Sequence, residues 1–399
     1  MTKIHLWPEE AIVKEDLITT GFTYEEADGE YKSAWYRLPS EFAPAVTHWC
    51  DPFVLAILFK AMSTPSDLIV HGEVSPSLIY NLREFQSAWS SWLPDRYSQI
   101  EIVPDEELEH PPPDNMDAVV AFSGGADCCY TAWRYTKPKN ERLPYSLPAG
   151  LFIHGYDFPA NLVETFDRAF KKARIILDSL GMTLIPMATN LRSLRQHPDD
   201  SGGATLASCL MLLQDRYVAG LIASAYPYAH LSIPCGSNPL TDPMMSSRSF
   251  SIRHDGAKAP RIEKLKTISE WPEAMQFLRV CSGRNAAERD KNCCQCEKCV
   301  RNILEFRALG FNKPPFFEKD VTNWQILKLQ YSYTTDIAHI YEDILTTAKI
   351  KQISGSWISA LKFSMFMNKM RFKAEKIPWI NRLLHWIKRQ ITRRRIIHG

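Results

Sequence analysis

Apolar runs of strand length alternate with longer segments of helical pattern from about residue 117 to residue 234. The runs are AVVAF (118–122), GLFIHG (150–155), TLIPMA (183–188) and HLSIP (230–234). Between them the pattern predicts helices after Asp127, over about 161–180 and over about 204–224. Repeated strand-helix units are typical of a parallel sheet with helices on both faces. We therefore expect an α/β fold built on a doubly wound parallel sheet.

Three domains are expected along the chain. Residues 1–112 predict a small N-terminal α/β domain, and the acidic, proline-rich stretch PDEELEHPPPDN (104–115) predicts a linker after it. Residues 113–312 contain the alternating pattern and a cysteine cluster. Residues 313–399 predict a helical C-terminal region, because the pattern looks helical from about residue 320 onward.

Two helix starts are predicted in the N-terminal domain, at Asp51-Pro52 and at Ser75-Pro76. In each pair a residue with a capping side chain precedes a proline, which is tolerated at the first helical position. We expect Asp51 and Ser75 to be the N-cap residues.

A sharp bend is expected at SGGAD (123–127), between the strand AVVAF and the following helix. Gly124 and Gly125 permit backbone angles that bring main-chain N–H groups towards a ligand. The helix start adds partial positive charge, so the bend favours an anion. Ser123 adds a hydroxyl donor. An acidic residue such as Asp127 suits this bend if the anion is a phosphate group that binds together with Mg²⁺. Alternatively, Asp127 caps the helix.

A cysteine cluster lies in CSGRNAAERDKNCCQCEKC (281–299). Its candidate metal ligands are Cys281, Cys293, Cys296 and Cys299. Four thiolates suit a structural, tetrahedral Zn²⁺. They also suit a [4Fe–4S] cluster, and unligated thiols are the third alternative. Cys294 interrupts the spacing, and we expect it to lie outside the ligand set unless it replaces Cys293.

Ser-Gly-Gly-x-Asp after a first parallel strand resembles the PP-loop of the ATP pyrophosphatase superfamily, whose fold is the adenine nucleotide alpha hydrolase type. The cysteine cluster, followed by VRNILEFRALG, resembles the zinc motif of 7-cyano-7-deazaguanine synthase. Together the two motifs carry the resemblance over about residues 117–310.

The resemblance implies an enzyme that cleaves ATP to AMP and pyrophosphate and adenylates a substrate oxygen. It implies that Ser123, Gly124, Gly125 and Asp127 hold the pyrophosphate end of ATP. It also implies that the zinc is structural. One position departs from the usual motif, because Cys128 stands where Ser or Thr is common. Cys128 is then a small packing residue or a thiol activated at a helix N-terminus.

Further candidates come from the polar stretch 234–264 and from the end of the second strand. Long polar loops at the carboxyl edge of a sheet often carry specificity. We expect Arg261 and Lys264 to act with Ser123 and Asp127 on phosphate charge. Residues expected to line the nucleotide site are Cys128, His154, Gly236 and Ser237, and further substrate candidates are Asn238, Asp242, His254 and Asp255. Each of these is also compatible with a capping or purely structural role.

The amino-acid composition is typical of a globular protein. Of the 399 residues, 45% are hydrophobic and 23% are charged, as in globular proteins. The first residues lack the pattern of a signal peptide, which favours a cytoplasmic location. Ten cysteines then favour metal or thiol chemistry over disulfides.

The formal net charge of +2 is unevenly distributed. From Leu361 to the end there are eleven Lys or Arg and one acid, a net charge of +10, which leaves −8 for the rest. Within this tail the apolar face of a predicted basic helix contains Ile380, Leu383, Leu384, Ile387 and Ile391. Such a helix can dock on the acidic body of the same chain or on another copy of it. It can also bind an anionic membrane surface, RNA or a protein partner.

The leading functional hypothesis is an ATP-dependent ligase-type enzyme with ATP, Mg²⁺ and Zn²⁺ as cofactors. It would activate a carboxyl or amide of a small-molecule or macromolecular acceptor for C–N bond formation. A second hypothesis is sulfur transfer onto a nucleobase, with Cys128, Cys129 or Cys235 carrying the sulfur. A third is a nucleotide-binding scaffold protein without catalysis.

Overall fold

A single ten-stranded sheet forms the core of the described residues up to Asn292. The computed structural model describes residues 2–26, 29–137, 142–283, 285–331 and 335–375. The strands are β1 (Thr2–Lys14), β2 (Leu17–Glu25), β3 (Tyr31–Pro39), β4 (Ser66–Val74), β5 (Ile102–Glu107), β6 (Asp117–Ala121), β7 (Ser146–His154), β8 (Thr183–Thr189), β9 (Ala219–Ala223) and β10 (Ser251–Asp255). Their spatial order is β10-β9-β6-β7-β8-β3-β2-β1-β4-β5.

The helices lie between and after these strands. They are α1 (Asp51–Ser63), α2 (Pro76–Trp92), α3 (Ala126–Thr136), α4 (Val163–Asp178), α5 (Pro198–Met211), α6 (Arg261–Ser269), α7 (Pro272–Phe277), α8 (Glu297–Leu309), α9 (Asn323–Leu327), α10 (Thr335–Ile350) and α11 (Ser356–Glu375). The chain divides into two units, Met1–Asn292 and Cys293–Gly399.

The strands from β6 to β10 form the parallel half of the sheet. The chain runs outward from β6 to β7 and β8, and then returns to the other side of β6 for β9 and β10. Val119 and Leu221, in the middle of this half, are fully buried. Ligands of open α/β sheets bind outside the carboxyl ends of the strands where the order reverses, which here is between β6 and β9. The prediction of an α/β fold with a parallel sheet is confirmed for this half, and its strand order is consistent with a doubly wound arrangement.

The strands from β1 to β5 extend the same sheet. β3 pairs antiparallel with β8, where Tyr36 lies opposite Thr189. The pairs β1–β2 and β2–β3 are also antiparallel, whereas β1–β4 and β4–β5 are parallel. The sheet as a whole is therefore mixed and mostly parallel. That residues 1–112, 113–312 and 313–399 are separate domains stays a prediction.

Two sequence predictions in the parallel half are wrong. The helix expected over 204–224 ends at Met211, and Ala219–Ala223 forms β9. HLSIP is not a strand, and the last strand, β10, lies inside the stretch predicted to be a loop. Short apolar runs fit a buried strand and a buried helix equally well, so periodicity alone did not separate them.

Two predictions in the N-terminal region also need correction. The first part of the expected linker forms the edge strand β5. Cys50, not Asp51, is the N-cap residue of α1, and the Asp51 carboxylate instead accepts hydrogen bonds from Ser75, from its N–H at 2.8 Å and its Oγ at 2.6 Å. Ser75 does precede α2 as its N-cap residue, without a side-chain bond to the helix.

The second unit is helical where it is described, from α8 to α11, which agrees with the expectation for the C-terminal region. The predicted tail helix with Ile380 and Ile391 lies outside the described residues. Among the helices that the structure describes, none has the length and apolar character that a membrane span requires.

Candidate functional site

The SGGAD loop (residues 123–127) connects the carboxyl end of β6 to the start of α3. Gly124 has a φ of +71°, a conformation that side chains other than glycine rarely adopt. Gly125 is the N-cap residue of α3, in an extended conformation. The backbone thus bends at the two glycines, as the sequence predicts, immediately before a helix of eleven residues.

The polar groups of the loop divide into two sets. The carbonyl of Gly124 accepts a hydrogen bond from the Arg279 N–H at 2.9 Å, and the carbonyl of Ser123 accepts one from Arg279 Nε at 3.3 Å. Within the part of the chain that the structure describes, the N–H groups of Gly124, Gly125 and Ala126 donate to no protein acceptor. Helix-start amides of this kind are suited to an anion, because they add hydrogen bonds to the positive end of the helix dipole.

A cavity of about 210 Å³ lies beside the loop at the carboxyl ends of β6, β7 and β9. Its walls are mostly apolar, with polar groups from the loop. The lining residues are Ala121, Phe122, Ser123, Gly125, Asp127, Cys128, Leu151, Phe152, Ile153, Tyr156, Asp157, Phe158, Leu206, Ile222 and Ala223. An apolar pocket with a few polar groups at the switch point of an α/β sheet is the usual place for a small-molecule ligand.

Asp127 contacts two cationic side chains from α6. Lys264 Nζ lies 3.1 Å from Asp127 Oδ1, and Arg261 Nη1 lies 3.3 Å from Asp127 Oδ2. Lys264 is only 1% exposed, and its ammonium also donates to Ser224, to the carbonyl oxygen at 2.6 Å and to Oγ at 3.0 Å. The structure therefore brings together three residues that the sequence analysis selected from segments far apart in the chain.

Arg279 is a contributor that the sequence analysis missed. Besides its two bonds to the loop, its guanidinium donates to Asp157 Oδ2 at 2.8 Å and lies 4.7 Å from the centre of the Phe158 ring. The residue precedes the cysteine cluster and follows no recognisable motif. Proximity to Cys281 was the only signal that could have drawn attention to it.

The Cys128 thiol lies beneath the loop. Its sulfur accepts from the Ser123 N–H at 3.4 Å and donates to the Gly125 carbonyl at 3.2 Å. Burial opposes ionisation of this thiol, but hydrogen bonds from the Cys129 side chain and from Ser123 outweigh it and lower the pKa of Cys128 to about 7. Burial and the bond to Cys128 raise the pKa of Cys129. Cys128 thus holds the loop together and is also an ionisable group in the cavity wall.

Other predicted site residues have structural contacts outside the cavity lining. His154 is buried at the end of β7, where its ring stacks on Phe166 at 4.4 Å and its Nε2 lies 3.0 Å from the Pro159 carbonyl oxygen. Burial lowers the pKa of His154 despite that bond. The Gly236 N–H donates to the Asp199 carbonyl at 2.9 Å, which ties its loop to the first turn of α5. None of these contacts reaches the SGGAD loop.

Ser237 belongs to a second polar cluster. Its Oγ donates to Asp242 Oδ2 at 2.7 Å, and His254 Nδ1 lies 2.8 Å from the same carboxylate oxygen. Asn238 donates its backbone N–H to Asp242 Oδ1 at 3.1 Å. Asp255, by contrast, pairs with Thr131 and Arg134 of α3, which fixes α3 against β10.

The candidate metal ligands also converge. The sulfur atoms of Cys281, Cys293, Cys296 and Cys299 all lie within 4.8 Å of one another. Tetrahedral zinc with Zn–S bonds of about 2.3 Å places its sulfurs about 3.8 Å apart. The distance from Cys293 Sγ to Cys299 Sγ is 3.8 Å, and Cys293 Sγ accepts the Cys296 N–H at 3.3 Å. The cluster can hold a metal ion such as zinc, and Cys294 is not part of it.

No protein-family model, no curated protein and no solved structure matches the chain. Membership of the PP-loop superfamily therefore stays a prediction that rests on the sequence motifs, with the strand order and the loop geometry compatible with it.

Proposed function

We propose that the chain binds Mg-ATP at the SGGAD loop and transfers AMP to an acceptor, with release of pyrophosphate. The observation that carries the proposal is the start of α3, where the amides of Gly124, Gly125 and Ala126 donate to no protein acceptor among the described residues and where Gly125 lines the cavity. A triphosphate supplies the oxygens that such amides bind, and the apolar walls suit a base or acceptor ring.

The residues around Asp127 suit this chemistry. An acceptor oxygen attacks the α-phosphorus, the bond from that phosphorus to the bridging oxygen breaks, and pyrophosphate leaves with the electron pair. Lys264 and Arg261 can offset the charge that develops on the phosphates. Magnesium, when bound, screens the phosphate charge, and the Asp127 carboxylate borders the cavity as an oxygen ligand of the type that Mg²⁺ prefers. The activated acceptor would then react with an amine or ammonia to form a C–N bond.

Sulfur transfer onto a nucleobase is the second candidate. It is favoured by one observation, the buried Cys128 thiol in the cavity wall, whose pKa is lowered to about 7. A thiolate at a helix start is a competent sulfur carrier. The Cys128 thiolate would attack the outer sulfur of a small-molecule persulfide, and the donor's thiolate would leave. Mass spectrometry after incubation with such a donor would detect a persulfide on Cys128 in this case and no added sulfur in the first.

Product analysis tests the proposal. The full chain is incubated with Mg²⁺ and ATP labelled at the α-phosphate, with water alone or with a carboxylated deazapurine and ammonium as acceptor and nitrogen donor. We expect labelled AMP or an adenylated product together with pyrophosphate. ADP and inorganic phosphate as the products would overturn the proposal, and ATP binding without turnover under every acceptor tried would favour the scaffold hypothesis.

We further propose that the metal in the cysteine cluster is zinc in a structural role. Four thiolates without an open position suit that role. Elemental analysis of the purified protein should give about one zinc per chain, and Cys296→Ser should lose the metal and lower the melting temperature. The matched control, Cys294→Ser, should keep it. Iron with its visible absorbance, or no metal in the parent protein, would contradict the zinc proposal.

A further inference from the structure

Helix α11 exposes an apolar stripe in the second unit. Phe363, Phe366, Met367 and Met370 recur at the spacing of one helix face and are 54%, 57%, 48% and 48% exposed. Four large apolar side chains next to one another form a contiguous apolar patch, whereas exposed apolar residues on an ordinary protein surface are scattered singly.

The opposite side of α11 already has its partners. Leu361 and Ser364 are fully buried, and the Asn368 side chain donates to the Leu329 carbonyl at 2.9 Å. The exposed stripe is therefore not the face by which α11 packs in its own unit. It is a second apolar face on the same helix.

Basic residues follow one side of the stripe. Lys362, Lys369 and Lys373 are exposed, and at 3.6 residues per turn they form a row next to the apolar side chains. No Asp or Glu occurs in α11 before its last residue, Glu375. The whole segment from Leu361 to the end has a net charge of +10, so the electrostatics around the stripe favour an anionic partner.

We propose that this stripe lies on an anionic lipid surface, with the phenyl and methionine side chains in the acyl boundary and the lysine row at the phosphate groups. A helix lying in a bilayer surface needs this combination of apolar face and basic edge. Lysine stems extend along apolar surface while their charges reach the headgroups. The proposal concerns a surface separate from the SGGAD loop and does not depend on the function proposed for that loop.

Two other occupants fit the stripe less well. An isologous contact with a second copy sets the same patch against itself, which brings the lysine rows of both copies to one interface with no acid between them. RNA would engage the lysines but gives the methionine side chains little to bury against, since its outer surface is sugar and phosphate.

Vesicle cosedimentation of the full chain tests the proposal. We expect binding to phosphatidylcholine vesicles that contain phosphatidylserine, and weak binding to phosphatidylcholine alone. The double substitution Phe363→Ser with Phe366→Ser should weaken binding roughly a hundredfold, because two phenyl groups no longer enter the membrane. Replacing both residues by Leu should restore most of the binding. Ile350→Ser, at an apolar position 75% exposed at the end of α10, is the matched control and should have no effect.

Vesicle cosedimentation, together with analytical ultracentrifugation of the protein without vesicles, can overturn the proposal in three ways. Absence of binding to the phosphatidylserine vesicles would do so. Unchanged binding of the double Ser variant would do so as well, because the basic tail would then act without the stripe. The third is a parent protein that sediments as a dimer and a double Ser variant that sediments as a monomer, which would assign the stripe to a second copy. Circular dichroism of the variants controls for folding, which exposed side chains should not affect.

Discussion

The start of α3 differs from the start of α2, although both helices follow strands of one sheet. At α2, Glu109 accepts the Ser77 N–H at 3.0 Å and the Ser77 hydroxyl at 2.9 Å, so the protein itself supplies the anion. At α3, among the described residues, no side chain caps the helix, the amides of Gly124, Gly125 and Ala126 donate to no protein acceptor, and Gly125 lines a cavity. A helix start that is already capped serves stability, whereas one without a protein acceptor is available to a ligand.

The two aspartates in the first turns of α1 and α3 show the same difference. Asp51 is fully buried, and Ser75 supplies its hydrogen bonds. Asp127 is 27% exposed, borders the cavity and pairs with Lys264 and Arg261. Identical side chains at similar helix positions are thus placed for different tasks. We expect the same substitution to lower turnover at Asp127 and to raise stability at Asp51.

Of the substitutions at these two aspartates, Asp127→Asn should have the larger effect, which is a decrease in turnover. The amide keeps the shape of the side chain but removes the negative charge that positions Lys264 and Arg261 and that can bind Mg²⁺. We expect release of pyrophosphate to slow by about a hundredfold or more, in the range found for groups that stabilise transition-state charge. Single-turnover kinetics with labelled ATP measures it. Turnover close to that of the parent chain would remove Asp127 from the proposed chemistry.

Asp51→Asn should have the smaller effect, which is an increase in stability. Burial raises the pKa of Asp51 to about 6 despite the hydrogen bonds from Ser75. A carboxyl group whose pKa is raised on folding destabilises the protein above that pKa, and the penalty disappears as the pH falls towards the unfolded pKa of about 4. The neutral amide should therefore add on the order of 1–3 kcal/mol to the free energy of unfolding at pH 8 and nothing near pH 4.

Urea unfolding of both chains at the two pH values measures this difference, with pyrophosphate release as the control that should not change. A stability gain that is the same at both pH values would show that the charge of Asp51 is not its source. A loss of activity would contradict the separation between the two helix starts.

The sequence was sufficient to predict the bend at the SGGAD loop, but not all of the residues that contact it. Two adjacent glycines between an apolar run and a helical pattern predicted the bend, because few other residues adopt the φ of Gly124. Lys264 and Arg261 were selected as candidates, and their proximity to Asp127 is observed while their roles stay predictions. Arg279 could not be selected, since its contacts to the loop depend on how segments more than a hundred residues apart pack together.

The strands show where sequence patterns fail. β6, β7 and β8 alternate clearly with helices and were predicted. β9 follows α5 after a short turn, so its five apolar and small residues continued the apparent helix. Gly220 in β9 has a tertiary role, because a β-carbon there would lie 2.8 Å from Leu210 Cβ. That constraint comes from packing against α5 and leaves no periodic signal.

The most direct test of the central claim is the affinity for Mg-ATP of two glycine variants, measured by isothermal titration calorimetry. Gly124 and Gly181 have φ values of +71° and +74°, so valine strains the backbone similarly at both, and neither site has a close backbone clash. Only Gly124 belongs to the SGGAD loop. We predict that Gly124→Val abolishes binding and that Gly181→Val binds as tightly as the parent chain. Equal affinities of both variants and the parent would contradict the claim that the start of α3 binds the phosphates of ATP.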